Sequence, residues 1–437
     1  MHQRNSDETL YQLVATLASN TADVNSALRA RGDGELSINS PSPVVPLTEE
    51  NTSYHDAKAS AIEAAEKIIA LLRGPREVLL DLSFQHCAFA SLQVIQYYRI
   101  QEHIPLEGFT TYEKIAAAVG RGVTPALVER VVQHAISFGL FQEDAEANVG
   151  HNAVSSLLVT DPDLESWLYL CTNYAYPAGA QIPKAIEKYG YSSEANETGY
   201  SVSIGRKISQ FERMREPDGQ EAHAMFARAM RGISAGGTYD VTHAIDGYPW
   251  EKLAAAPNSL VVDVGGGPGH VTMALARKFP SLRFEVQDLP ETVEVGAKNC
   301  PPELQSRIAF KPHDFFQKQP SRDGEAGSIT YFARFILHDW SDTYARKILD
   351  ALAKSLRPQD RVVLNEVVVP APGELALGIE RRLRDRDLLM LMNLNGRERT
   401  VSAFKGLLAS VEPKLRLQEV HRPARGELSL IEVVLDQ

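Results

Sequence analysis

Apolar positions recur at helical spacing through the first half of the chain and gather into short strand-like runs through the second. Leu10, Leu13, Val14 and Leu17 predict an amphipathic helix within 8–30, and the Pro/Ser/Asn-rich stretch from Ile38 to Thr52 has no period and reads as a linker. Helical spacing then continues over 57–72, 77–99, 112–119, 125–138 and 163–176 without strand alternation between them. Within this run Thr124 is placed to N-cap a helix whose first position is Pro125. Residues 110–140 read as a helix, a turn, a second helix and a wing. After Gly232 the texture changes: strands are predicted at 259–264, 283–287, 308–312, 328–335 and 361–369, with helices at 272–279, 292–298 and 343–355 between them. Short apolar strands alternating with helices predict a mostly parallel sheet covered on both faces, a doubly wound α/β domain.

Composition narrows the functions such a chain can serve. At 437 residues, 44% hydrophobic and 23% charged, it is long enough for two globular domains. The net charge of −11 repels phosphate backbones and anionic lipid, which excludes nucleic acid and membrane surfaces as partners. The second helix of the helix-turn-helix unit offers Glu129, Arg130 and His134 rather than a row of Arg, Lys, Asn and Gln, so that unit reads as an interface or a pocket wall. Cys87, Cys171 and Cys300 lack the close pairing of zinc sites or redox motifs, so a reducing compartment and no metal are expected. The first residues carry no apolar leader, and no run of about 18 apolar residues occurs. A cytoplasmic protein is expected, with its amino-terminal helix docked on a neighbouring subunit or on its own core.

The chemistry begins at Leu260-Val261-Val262-Asp263-Val264, which runs directly into Gly265-Gly266-Gly267-Pro268-Gly269 before a helix. Three glycines at the carboxyl edge of a sheet let a ligand approach the backbone. A dinucleotide fingerprint requires glycine where His270 stands, and no Gly-Lys-Ser/Thr follows, so the pattern predicts a nucleoside without a pyrophosphate. Asp288 ends the next strand, about 20 residues on, where a carboxylate accepts both ribose hydroxyls. His338 follows another strand and precedes a helix capped by Ser341 or Asp342, which puts an imidazole at the same edge of the sheet. Imidazole is the side chain best matched to taking a proton near neutral pH. Glu366 in the next strand and Glu398 in a polar loop are the acids available to orient it.

The motifs Val262-Asp263-Val264-Gly265-Gly266-Gly267-Pro268-Gly269, Asp288-Leu289-Pro290, His338-Asp339-Trp340-Ser341-Asp342 and Gly396-Arg397-Glu398-Arg399-Thr400 come in a recognisable order. Over residues 60–437 the chain resembles the fungal and plant class I S-adenosylmethionine-dependent O-methyltransferases of the caffeic acid type. Beyond the amino-terminal arm and linker read at 1–52, the resemblance implies an all-helical, winged-helix-like dimerisation domain at 53–200 and a Rossmann-like, seven-stranded catalytic domain at 201–437. It implies S-adenosyl-L-methionine as cofactor, held by Ser234, Gly265 and Gly267, with Asp288 on the ribose and Asp314 and Phe315 beside the adenine. Arg334 stands where plant members usually carry lysine. It also implies a homodimer, a small aromatic substrate with a phenolic hydroxyl, and catalysis by His338, Glu366 and Glu398. Phe226 and Met230 match lining positions of the acceptor pocket, and Tyr174, Tyr176 and Met392 are further candidates for its aromatic and apolar walls. Asp339 reads as a brace for the turn.

Two other readings compete with this one. Some relatives on the fold catalyse dehydration and pericyclic cyclisation without methyl transfer, using the bound cofactor or only the pocket. A histidine with both glutamates argues for methyl transfer. A non-enzymatic cofactor sensor rests on the amino-terminal arm alone.

Overall fold

A computed structural model describes residues 8–37, 42–46, 48–322, 327–423 and 426–436. Part of the 1–52 arm therefore lies outside the described residues. The chain divides into two compact units. One holds the chain through Ala180 together with Phe211–Ile233 and Leu375–Glu380; the other holds Gln181–Gln210, Ser234–Glu374 and the chain from Arg381 on.

The first unit is helical. Helix Leu10–Ala30 opens with a capping box at Thr9 and buries Val24 and Leu28 against Val45, Tyr54 and Ala57. It therefore docks on its own chain. Helix Thr52–Tyr97 is interrupted at Gly74, whose φ of +69° breaks the helical path just before Pro75. That break separates the two segments that the apolar spacing predicts. By length and composition this helix passes for a membrane span.

Helices Tyr112–Val119 and Pro125–Ile136 follow, with Thr111 and Thr124 accepting the amides of Lys114 and Leu127 as N-caps. A short antiparallel pair, β1 (Gln142–Glu143) and β2 (Val149–Gly150), follows them, beyond the 110–140 stretch in which a wing is expected. Ile95, Ile115, Val128, Val132 and Val149 form its core. The single helix expected over 163–176 is instead Pro162–Leu170, a π-helical turn at Cys171–Ala175, and Tyr176–Ala180. The buried Thr172 hydroxyl donates to Gln96 Oε1 at 2.6 Å within that turn, a tertiary bond that the apolar period does not encode.

The second unit is built on a seven-stranded sheet of β3 (Leu260–Val264), β4 (Arg283–Asp288), β5 (Ile308–Pro312), β6 (Ile329–Arg334), β7 (Arg361–Val367), β8 (Leu415–His421) and β9 (Leu428–Leu435). Their order is β5-β4-β3-β6-β7-β9-β8, with β9 antiparallel to both neighbours and the rest parallel. Strand β3 is buried along its whole length, and its side chains alternate between two cores. Leu260, Val262 and Val264 pack with Ile348, Leu352, Phe404 and Leu408 on one face. Val261 packs with Leu275, Trp250 and Phe332 on the other. The chain order reverses at β3, so the crevice between the carboxyl ends of β3 and β6 is where this topology leaves room for a ligand.

Leu28 is 1% exposed at the centre of the amino-terminal contact. Leu28→Ala should loosen that docking by about 2–5 kcal/mol. Limited proteolysis should then release the first helix faster, and an unchanged cleavage rate would show that the contact does not hold it.

Candidate active site

The glycine turn sits at the end of β3. Gly265, Gly267 and Gly269 all have positive φ, and a Cβ on Gly266 would lie 2.5 Å from the Asp263 carboxyl group. Every amide of the turn that has a partner finds it inside the protein. Gly265 and Gly266 donate to the Gln287 carbonyl at 2.8 and 3.1 Å, Gly267 to Asp288 Oδ2 at 2.8 Å, and Gly269 to the Gly266 carbonyl at 3.0 Å. A phosphate-binding turn must leave such amides free. This turn therefore suits a ligand that approaches closely but carries no phosphate.

Asp288, at the end of β4, takes one backbone N–H on each carboxyl oxygen, from Gly267 and from Leu289. The Thr292 side chain also hydrogen-bonds this carboxyl group, so of its roughly four lone-pair sites only part stays open to a ribose hydroxyl. Burial raises its pKa. Phe315 approaches to 3.6 Å of the Cβ position at Gly265, and the Asp314 carboxylate caps the amide of Phe316 at 2.9 Å. These residues fit a nucleoside. Ser234 ends helix Gln220–Ser234. Arg334, the last residue of β6, donates to the Tyr239 carbonyl at 2.6 Å and to Asn365.

His338 lies on a short turn, Leu337–Asp339, directly after β6 and is 7% exposed. Its Nδ1 is 2.9 Å from Glu398 Oε1, and its Nε2 is 3.4 Å from Asp339 Oδ1. Asp339, read from the sequence as a brace, thus stands at the edge of the ring opposite Glu398. Glu366 Oε1 accepts the amides of Ile336 and Leu337 at 3.0 and 2.6 Å, so it grips the backbone that carries the histidine. One ligand atom from each of His338, Glu366 and Glu398 falls within a 4.8 Å cluster. The turn is also tied to the cradle, because a Cβ on Gly265 would lie 2.5 Å from Ile336 Cδ1.

Charge explains the behaviour of this buried group. Burial by itself drives the imidazole pKa down, but Glu398, Asp339 and Glu366 more than offset it and hold His338 at about 9. Burial pushes Glu366 up to about 7 and Asp339 up to about 6, with His338 opposing both shifts. Glu366 Oε2 and Glu398 Oε2 are buried without a hydrogen-bond partner among the described residues. An imidazole and two carboxylates also have the composition of a divalent-cation site. The pairing of Nδ1 with Glu398 and of Glu366 with two amides engages one oxygen of each carboxylate within the protein.

Two supporting residues escaped the sequence reading as functional. Arg399, 1% exposed, donates to the carbonyls of Leu337 and Trp340 at 2.7 and 2.8 Å and pairs with Asp342 at 2.9 Å, bracing the His338 turn from both ends. It lies in a quoted motif, and its signal was an arginine beside a candidate catalytic glutamate. Phe335 holds a φ of +54° and stacks on the His338 ring at 5.2 Å. Among the candidate acceptor residues, Phe226, Met230 and Tyr174 pack together around Leu170, Met225 and Ala229 in the helical unit. Tyr176 stacks on Phe89 at 5.7 Å. Met392 lies half-buried on helix Leu377–Leu394, in the part belonging to the sheet unit.

Comparison with known proteins adds an independent line. Residues 192–411 match the family model for an O-methyltransferase domain. The O-methyltransferase CTB2 of Cercospora beticola is 61% identical over 438 residues, covering 100% of this chain and 95% of that protein. The O-methyltransferase elcB of Phaeosphaeria nodorum is 60% identical over 388 residues, covering 87% and 88%. Among solved structures, OxaC in complex with SAH and oxaline superposes with a TM-score of 0.72 at 22% identity, covering 97% of this chain and 100% of that one. A pericyclic reaction enzyme superposes equally well, with a TM-score of 0.72 at 19% identity and the same coverage. At such identities the structural likeness establishes the fold.

The raised His338 pKa has a direct consequence. Its interaction with the surrounding acids stabilises the folded state fully below about pH 6.5 and is lost as pH rises through about 9. Imidazole NMR should show His338 titrating well above 6.5 and shifting downward in Glu398→Gln. An unchanged titration in that variant would detach Glu398 from the ring.

Proposed function

The chain belongs to the O-methyltransferase family, and from that premise we propose that it moves a methyl group onto a phenolic hydroxyl of a small aromatic secondary metabolite in the cytoplasm, with His338 as the base. The observation that carries the proposal is the His338–Glu398 pair at 2.9 Å, buried on a turn that packs against the glycine cradle. The family's methyl donor is S-adenosyl-L-methionine. When bound, it supplies an electrophilic methyl on a sulfonium, ready for in-line displacement. Gly265, Gly267 and Asp288 would hold its nucleoside, with Asp314 and Phe315 beside the adenine and Ser234 and Arg334 at the other end.

The protein's own work is to align the acceptor and take one proton. The acceptor O–H donates to Nε2 of His338, and that proton remains on the imidazole. Glu398 accepts the Nδ1–H, which fixes the tautomer and stabilises the imidazolium. Glu366 keeps the backbone of the turn in place through its two amide contacts. Met392, on the helix of the sheet unit, would supply part of the apolar wall that holds a flat ring. Holding the hydroxyl in line with the methyl supplies much of the remaining acceleration.

The fold is equally compatible with a pericyclic enzyme, as the structural likeness shows. The base with its glutamate partner supports methyl transfer, because a cyclisation needs no proton acceptor poised at the methyl donor. Formation of S-adenosylhomocysteine in step with product separates the two.

We also assign the exposed apolar side of helix Thr52–Tyr97 to a second copy of the chain. Ile69, Leu72, Leu79, Leu82 and Phe84 are each about half exposed or more, and such rows mark association surfaces.

Labelled S-adenosylmethionine and a panel of phenolic metabolites should give a product heavier by one CH₂. In His338→Ala, kcat should fall by roughly 10²–10⁴ while the affinity for S-adenosylhomocysteine is kept. The wild-type rate should climb as pH rises from 6.5 toward 9, because only neutral imidazole accepts the proton; a flat profile would remove the base. Sedimentation should give a dimer that Leu72→Asp with Phe84→Asp dissociates, and a monomeric wild type would refute the assembly.

A further inference from the structure

The carboxyl end of β6 gathers two arginines around one aromatic ring. The Arg334 guanidinium carbon lies 5.0 Å from the centre of the Phe335 ring, and that of Arg386, on helix Leu377–Leu394, lies 5.7 Å from it. Arg386 also stacks on Tyr239 at 4.0 Å. The same Phe335 ring stacks on His338. Two permanent positive charges therefore flank the ring that packs on the candidate base.

Among the described residues, neither guanidinium has an anionic hydrogen-bond partner. Arg334 donates to the Tyr239 carbonyl and the Asn365 side chain, both neutral, while Asp263, Asp240 and Glu366 act on it only through their charge. Arg386 makes no hydrogen bond or ion pair among the described residues. Its neighbours on the helix are engaged: Arg382 with Glu427 at 3.1 Å and Arg384 with the Pro370 carbonyl at 3.3 Å. The Tyr239 hydroxyl donates to Glu427, so that ring offers Arg386 only its face. Arg386 is half-buried, and its contact with the Tyr239 ring is through the ring's π face, which uses none of the guanidinium's hydrogen-bond donors.

We propose that Arg386, together with Arg334, forms a receptor for a ligand carboxylate beside the methyl-transfer site. The planar fork of a guanidinium matches the two oxygens of a carboxylate. A phosphate finds no support here, because the amides of the glycine turn are already bonded within the protein. The proposal rests on the methyltransferase reading, under which two molecules bring a carboxylate to this place: the amino-acid end of the cofactor and an acidic acceptor.

Calorimetry with S-adenosylhomocysteine and with methylthioadenosine, which has the same nucleoside and sulfur but no carboxylate, separates these sources. If the cofactor is the ligand, Arg386→Gln weakens S-adenosylhomocysteine by roughly 10- to 100-fold and leaves methylthioadenosine unchanged. If the acceptor is the ligand, both affinities are kept and KM rises by a similar factor for a carboxylated phenol but not for its methyl ester. Arg386→Lys keeps the cation and loses the fork, so it should show the same selectivity more weakly, and it decides the matter if the glutamine variant fails to fold. Wild-type affinity for both nucleosides, with equal treatment of acid and ester, overturns the proposal. A wild-type protein that binds no S-adenosylhomocysteine refutes the methyltransferase reading itself.

Discussion

A buried imidazole held between carboxylates in the protein interior is the constraint around which the sheet unit is arranged. A lone buried charge is costly, and breaking a buried pair by removing one partner typically costs about 3–5 kcal/mol. Glu398 must therefore stay within bonding distance of His338 although it is distant in sequence, and the intervening chain is organised to keep it there. Arg399, next to Glu398, reaches the carbonyls on either side of the histidine, and the Arg397 amide donates to the His338 carbonyl at 2.9 Å. The two loops are stitched together by backbone and guanidinium contacts before any side chain acts on a ligand.

The cradle follows a complementary logic. Its amides are consumed by Gln287, Asp288 and Gly266, which makes the turn rigid and leaves shape, rather than donors, as its means of recognition. The Asp263 carboxyl group lies beneath it, accepting from the Thr272 hydroxyl at 2.6 Å, with its pKa pushed up to about 6 by burial. A nucleoside cofactor with a positively charged sulfur is compatible with such a turn, whereas a pyrophosphate would need the donors that are already spent. Absence of a phosphate subsite and presence of unbonded guanidinium donors nearby thus describe one ligand preference from two sides.

Much of this was legible from the chain itself. Strand positions in 259–369 came from short apolar runs, the turn after Val264 from its glycines, and the break near Gly74 from a gap in the helical period. Asp288 and His338 were identifiable because both fall at strand ends, and in a parallel sheet strand ends share one edge. Other features left no local mark. The antiparallel pair β8 and β9 closes the sheet through long-range register, and the π-helical turn at Cys171 depends on Thr172 meeting Gln96. The two compact units each take up several separate stretches of chain, which a single boundary near residue 200 does not describe.

Periodicity and turn chemistry, set by neighbours a few residues apart, thus determined the class of fold, the cradle and the identity of the histidine. Tertiary structure alone decided that Glu398 meets Nδ1, that Asp339 faces Nε2, that Glu366 holds two amides, and that Arg386 meets the Tyr239 ring rather than a carboxylate among the described residues. The physical reason is range: helix and strand patterns are written in the chain's own repeat, whereas hydrogen bonds and charge pairs are fixed at about 3 Å between segments whose separation in sequence carries no information about their separation in space.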